Sequence, residues 1–168
     1  GQESKPDTWK LCKMNLSIRG IAHDLGETNA STFTNDQFKN RKVDYILANP
    51  PFNLKNWRNE DELKDDPRFE GYPMPPVANA NYAWILHMIS KLDASDGRAG
   101  FLLANGALNA SADEYQIRKE IIERDFVEAI IVLPRDMFYT TDISVTLWIL
   151  NMNKGARELD GRKLRNRK

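Results

Sequence analysis

Two consecutive prolines decide where the first strand of this chain has to end. Residues 43–48 (Val-Asp-Tyr-Ile-Leu-Ala) form an apolar run of strand length, and Asn49-Pro50-Pro51-Phe52 follows with no residue between. Proline fixes φ and carries no N–H, so neither Pro50 nor Pro51 can extend a hydrogen-bonded ladder. The run is therefore read as a short buried strand that stops at a stiff turn. Such a turn delivers its polar groups to the carboxyl end of a strand, which is where ligands bind in open α/β sheets.

The turn offers two acceptors and no competing donor: the side-chain oxygen of Asn49 and the backbone carbonyl of Pro50. That pair suits a planar amino group, whose lone pair is delocalised into its ring and which is a poor nucleophile until something localises it. Acceptors held on both amino hydrogens draw the nitrogen toward a tetrahedral geometry, a case of electrostatic preorganisation. Phe52 adds an apolar face that restores part of the stacking lost by a base taken out of a duplex. The plain alternative is an Asn-Pro turn after a strand. At about 5% average proline usage the four-residue string is rare by chance.

The rest of the chain alternates helical and strand patterns. Residues 7–20 read as a helix, with Asp7 to cap it, the series Trp9, Cys12, Leu16 and Leu11, Met14, Ile18 at helical spacing, and Gly20 to end it. Residues 21–42 are polar and loop-like. Residues 53–78 are charged and then proline-rich, long enough to count as a functional loop and the segment expected to move. Asn79 or Asn81 opens a second helix with an apolar stripe of Tyr82, Ile85, Leu86, Ile89 and Leu92, and His87 falls off that stripe toward the surface. A strand over 98–104 follows. Ser111 with Glu114 makes a capping box for a third helix reaching Arg124. Strands are expected over 126–133 and 145–150. This order predicts an α/β fold with a mostly parallel sheet, flanking helices and an antiparallel last strand, since no helix precedes it. Three loops then converge on one rim: the tetrapeptide, Asn105-Gly106, and Phe138 to Asp142.

At 168 residues with 41% hydrophobic content the chain has one domain's worth of core. Its formal charge is zero, so no global basic field marks a nucleic-acid binder. Charge is nevertheless segregated: six acids lie within residues 60–70, and residues 154–168 form a locally basic tail. The domain reading is 1–153 followed by that tail. The lone Cys12 cannot form an internal disulfide and reads as core. Two isolated histidines, His23 and His87, and one cysteine make no metal cluster. No membrane-length apolar run or signal pattern is present, so the chain reads as cytoplasmic.

With these pieces in place the chain resembles the catalytic domain of the modification (M) subunit of type I restriction-modification systems, which are S-adenosyl-L-methionine-dependent adenine-N6 DNA methyltransferases. The similar stretches are Asn49-Pro50-Pro51-Phe52, Gly1-Gln2-Glu3, Trp9 to Gly20, Asn79-Ala80-Asn81-Tyr82-Ala83-Trp84, Gly100 to Gly106 and Leu133 to Trp148. The resemblance implies a Rossmann-like methyltransferase fold and a catalytic role for Asn49, Pro50, Pro51 and Phe52. It implies that Phe138, with Tyr139 as the alternative, stacks on a flipped adenine opposite Phe52. Glu3 matches the acid that holds the cofactor ribose. Ser31 stands where family members often have an acid that grips the cofactor adenine, which leaves Asp36 as the second candidate; Asn49 also borders the cofactor. The implied partners are DNA, a specificity subunit and a restriction subunit, in a bacterial or archaeal cytoplasm, with neither membrane nor metal involved.

One departure stands out. The family's glycine-rich loop after the first strand has no counterpart, because Gly97-Arg98-Ala99-Gly100 lacks its spacing and a following helix. The expectation is a fragment without the upstream half, inactive alone and with an exposed sheet edge. Two rival readings remain. A protein glutamine amide or a cytosine amino group presents the same planar nitrogen, or the chain is a non-catalytic subunit-binding remnant.

Overall fold

The computed structural model describes residues 1–138 and 142–155, and the backbone of 157–159 and 162–164. The chain divides into two compact units, Gly1–Arg41 with Arg58–Leu63, and Lys42–Trp57 with Lys64–Lys168. The long loop over 53–78 contributes residues to each.

In the first unit one helix, α1 (Pro6–Ile18), starts with proline in its first turn and stops at Gly20. Gly20 has φ +64°. Its N–H donates to the Ser17 carbonyl (3.0 Å) while the Ile21 N–H donates to the Leu16 carbonyl (2.9 Å), the paired bonds of a glycine-terminated helix. Asp7 does not cap the helix; the capping position is Lys5, with no side-chain bond. Of the two apolar series, Trp9, Cys12 and Leu16 are half-buried, whereas Leu11, Met14 and Ile18 are 63%, 58% and 82% exposed. Cys12 is thus free and half-buried rather than core. Helical spacing marks a stripe as apolar and does not say which neighbour covers it.

The second unit is built on a four-stranded sheet in the order β1 (Tyr45–Ala48), β2 (Arg98–Ala104), β4 (Val145–Asn151), β3 (Val127–Val132). β1 pairs parallel to β2, and β4 lies antiparallel to both β2 and β3. The antiparallel last strand is therefore as expected, inserted between strands that all run the other way. One face is the core. Ala99, Phe101 and Leu103 on β2 lie opposite Leu150, Trp148 and Thr146 on β4, and none of these is more than 2% exposed. Phe101 and Trp148 stack (centroids 6.3 Å, 17°), and Tyr82 from α2 (Asn81–Lys91) meets Trp148 edge-on at 6.4 Å. The Trp148 indole N–H donates to Thr146 Oγ1 (3.0 Å), whose hydroxyl donates to the Leu103 carbonyl (3.3 Å), so the buried polar atoms are satisfied. On the other face Tyr45 and Leu47 are 70% and 91% exposed. Leu47 lies over Gly100, where a Cβ would come within 3.5 Å of it.

The α2 stripe is nearly as read: Tyr82, Ile85, Leu86 and Leu92 are at most 1% exposed. His87 differs. It is half-buried, packs edge-on against Trp84 at 6.4 Å, and its Nδ1 accepts from Arg68 Nη1 at 3.2 Å. Arg68 also pairs with Asp66 (2.7 Å), and the two side chains are only 8% and 16% exposed. This part of the loop is anchored through charge, which a stripe count on the helix alone could not reveal. Gly97 closes the turn after α2, because a Cβ there would stand 2.5 Å from the Asp93 carbonyl oxygen.

α3 (Ala112–Glu123) begins where read but without its capping box, since Ser111 makes no side-chain cap bond and Glu114 Oε1 is buried without a partner. Ala112 has φ +52°, so the first turn is not the regular one in which a serine hydroxyl faces the amides ahead of it. Burial pushes the Glu114 carboxyl up from its ordinary value, against the pull of Arg118. In the basic tail, β5 (Arg157–Leu159) and β6 (Arg162–Leu164) form an antiparallel pair. Lys154 is 6% exposed and donates to Asp125 Oδ1 (2.6 Å) and the Val127 carbonyl (2.8 Å), a structural tie instead of a free cation.

Candidate active site

β1, β2 and β3 run in one direction, so their carboxyl ends share a rim with the start of β4. At that rim stand the turn of Asn49-Pro50-Pro51-Phe52 after β1, a 3-10 turn (Asn105–Asn109) after β2, and the connection from β3 to β4. Asn49 is exposed and Pro50 buried, so the turn is rooted at its proline. Phe52 and Phe138 meet there, with centroids 5.9 Å apart at 67°. Tyr139 lies outside the described residues. Arg135 pairs with Asp142 across the same connection, and the Arg135 guanidinium holds the Asp142 carboxyl below its ordinary range.

The turn is fixed from both sides. Upstream it is continuous with β1, whose register to β2 carries Ala48 opposite Phe101. Downstream Asn53 takes φ +53° and is held by Asn81 at the start of α2. The Asn53 N–H donates to Asn81 Oδ1 (3.0 Å), and Asn81 Nδ2 donates to Asn53 Oδ1 (2.9 Å). Neither residue was singled out for this pairing by the sequence; its signal was a pair of asparagines, one beside the prolines and one at a helix start. The floor of the 3-10 turn is similarly braced. Tyr82 donates its hydroxyl proton to the Ala107 carbonyl (2.8 Å), and Arg118 Nη1 donates to Tyr82 Oη (3.1 Å) and to the carbonyls of Ala107 (3.2 Å) and Ala110 (3.1 Å).

The other candidates, Glu3, Ser31 and Asp36, gather in the first unit, and the residue that gathers them is Gln2. Its Nε2 faces the carbonyls of Ala30 (3.2 Å), Ser31 (3.0 Å) and Asn35 (2.6 Å), while its Oε1 accepts from the Gln37 N–H (3.2 Å). The Ala30 N–H donates to the Glu3 carbonyl (2.8 Å), which ties the two segments again. Glu3 Oε1 accepts from the Lys5 N–H (2.8 Å), so the carboxylate is oriented by the start of α1. Asp36 is 7% exposed and its Oδ1 accepts from the Phe38 N–H (2.8 Å). Ser31 Oγ accepts from the Thr34 N–H (3.3 Å). Glu3 lies just before α1 and Asp36 in the loop beyond it, and both carboxylates are hydrogen-bond acceptors, the kind of group to which hydroxyls and an amino group donate. Asn49 belongs to the other unit. Among the described residues no group of three or more His, Cys, Asp or Glu could hold a metal ion, and no helix is long and apolar enough to cross a membrane.

Comparison with known proteins reaches nearly every residue. Residues 1–163 match the N-6 DNA Methylase family. The chain is 48% identical over 155 residues to the type I restriction enzyme HindI methylase subunit of Haemophilus influenzae, covering 92% of this chain and 34% of that protein. It is 43% identical over 158 residues to the MjaIX methylase subunit of Methanocaldococcus jannaschii, covering 92% and 28%. Among solved structures it is similar to the type I restriction-modification system methyltransferase subunit from Streptococcus thermophilus (TM-score 0.84, 27% identity), covering 98% of this chain and 38% of that one. The chain thus spans about a third of the length of the relatives it matches.

Proposed function

This chain belongs to the N-6 DNA methylase family, and from that premise we propose that it is the catalytic-side portion of a type I restriction-modification methylase subunit, which methylates the N6 amino group of a flipped adenine in DNA. The methyl donor is S-adenosyl-L-methionine. A specificity subunit chooses the sequence, and a restriction subunit is the further partner of the complex, in the cytoplasm. The observation that carries this reading is the acceptor turn at the strand rim, whose Phe52 ring lies 5.9 Å, centroid to centroid, from that of Phe138.

Asn49 Oδ1 and the Pro50 carbonyl each accept one amino hydrogen of the target adenine. With both hydrogens held, the nitrogen lone pair is turned out of the ring plane and aimed at the methyl group. When bound, S-adenosyl-L-methionine supplies a methyl on a sulfonium, so the new N–C bond forms as the S–C bond breaks. The extra proton on the product amine leaves to water, and no tuned general base is required. Pro51 keeps the turn stiff. Phe52 and Phe138, or Tyr139 in its place, sandwich the base at about 1–3 kcal/mol per stack. A ring between two others needs about 7 Å from face to face, twice a van der Waals contact. The edge-to-face pair therefore has to part when the base enters. In the first unit Glu3 would hold the ribose hydroxyls of the cofactor, and Asp36, with Ser31 beside it, the adenine.

The test is transfer of labelled methyl from S-adenosyl-L-methionine to unmethylated DNA, using the longest form of the protein that carries this sequence together with its specificity subunit. N6-methyladenine is expected after nucleoside digestion, and Asn49→Ala should abolish it. Label in N4-methylcytosine, or in a protein glutamine instead of DNA, would overturn the reading.

A further inference from the structure

We propose that Asn81 is a positioning residue for this reaction, clamping Asn53 in a left-handed conformation and so fixing the exit of the Asn49-Pro50-Pro51-Phe52 turn. The inference rests on the reading of that turn as the acceptor of the target amino group.

Asn81 is 1% exposed, a depth at which a carboxamide has to be satisfied by protein groups. The two bonds its carboxamide makes both go to Asn53, one to the backbone N–H and one to the side chain. The pair therefore fixes the backbone and the side chain of Asn53 together. Asn53 at φ +53° lies where L residues are uncommon and asparagine is enriched, and a left-handed residue redirects the chain. Here that happens one position past Phe52. Further bonds hold the neighbouring segments together: Ala80 N–H to the Leu54 carbonyl (2.9 Å), Asn56 N–H to the Val77 carbonyl (2.9 Å) and Trp57 Nε1–H to the Pro76 carbonyl (2.9 Å). The Asn53–Asn81 pair stands nearest the turn in this series. The acceptors of Asn49 and Pro50 thus sit on a four-residue span between β1 and the clamp. Because Pro50 and Pro51 have fixed φ, a shift at the exit passes along the span instead of being absorbed within it.

The chemistry of the pair gives a test beyond truncation. A carboxylate at either position alone still meets a donor, since the remaining carboxamide can turn over. Carboxylates at both positions set acceptor against acceptor. Asn81→Ala, Asn81→Asp, Asn53→Asp and the double carboxylate are compared in the longest form of the protein with its specificity subunit, by methyl transfer to unmethylated DNA. Asn81→Ala should lose about 100-fold in kcat, the scale of an ångström's misplacement. KM for DNA and affinity for S-adenosyl-L-methionine should change little, and 2-aminopurine at the target position should still brighten on flipping. The double carboxylate should lose more than the product of its two single losses. The clamp is overturned if Asn81→Ala transfers at the unsubstituted rate, or if the single losses simply multiply. It is equally overturned if kcat, KM, cofactor affinity and thermal midpoint all move together, as a merely structural role requires. An unsubstituted protein that methylates nothing removes the acceptor-turn reading itself, and the clamp with it.

Discussion

The two units of this chain are held together by different physics. In Lys42–Trp57 with Lys64–Lys168 a sheet face and α2 close over Trp148, Phe101, Leu103, Tyr82, Ile85 and Leu86, none more than 1% exposed. In Gly1–Arg41 with Arg58–Leu63 only Ala30, Phe33 and Asp36 are buried, and α1 has no buried residue. There the chain is organised by side-chain amides, above all Gln2 and Gln37. The difference teaches where precision comes from. The acceptor turn is rooted in an apolar core, whereas the residues proposed to hold a nucleoside are arranged by hydrogen bonds, each worth only about 1 kcal/mol net.

The largest way to break this contrast is Trp148→Ala. It removes a side chain packed between Phe101 and Tyr82 and should cost about 3–5 kcal/mol, a large part of a domain's stability. Thermal denaturation should show the midpoint falling steeply, and hydrogen exchange should speed up along β2 and β4. A loss near that of a surface substitution would mean the sheet face is not the core of its unit.

Gln2→Ala comes next, with about 1–3 kcal/mol of local destabilisation. Four backbone groups lose their partner, including the Gln37 N–H. Amides over residues 30–37 should exchange faster while those of β4 keep their protection. Equal acceleration in β4 would show that the two units do not differ as described.

Much of the second unit was legible because its residues obey one rule at a time. The strands over 98–104, 126–133 and 145–150 and the stripe of α2 were read from apolar pattern, and the structure has Arg98–Ala104, Val127–Val132, Val145–Asn151 and Asn81–Lys91. The prolines announced the rim turn. What escaped were features decided by long-range partners. His87 is turned inward by Arg68 and Lys154 is tied to Asp125, whereas Ser111 is a local miss, denied its cap by the left-handed backbone of the adjacent Ala112. The Asn53–Asn81 and Gln2 pairings span 28 to 35 positions, and no local pattern encodes them. Glu3, Ser31 and Asp36 were reached through family resemblance, since an acid in a polar loop carries no signal of its own.

Tyr82→Phe sharpens the comparison with a pH signature. Burial raises the phenol above its ordinary value of about 10, and Arg118 beside it opposes the rise. The fold therefore favours the neutral phenol. The stability this contributes is whole below about pH 10 and is lost as pH climbs from there through the folded value. Removing the hydroxyl should cost about 1 kcal/mol near neutral pH, because the Ala107 carbonyl loses the nearer of its two donors and keeps only Arg118, and should flatten the alkaline limb of the stability profile. An unchanged alkaline limb in Tyr82→Phe would show that another group titrates there.

The smallest expected effect belongs to α1, and its smallness is the point. Leu11, Met14 and Ile18 share helical spacing with a buried stripe yet are 63%, 58% and 82% exposed. Replacing all three by glutamine removes little apolar surface from any packed environment. Glutamine is also as good a helix former as leucine or methionine and better than isoleucine. Each change should therefore stay within about 0.5 kcal/mol, the range of ordinary surface substitutions. The same triple change in a stripe like that of α2 would unfold its unit. A loss of several kcal/mol on α1, measured by urea denaturation at fixed protein concentration, would mean that the stripe is covered in solution. If that loss shrank on dilution, the cover would be another protein molecule.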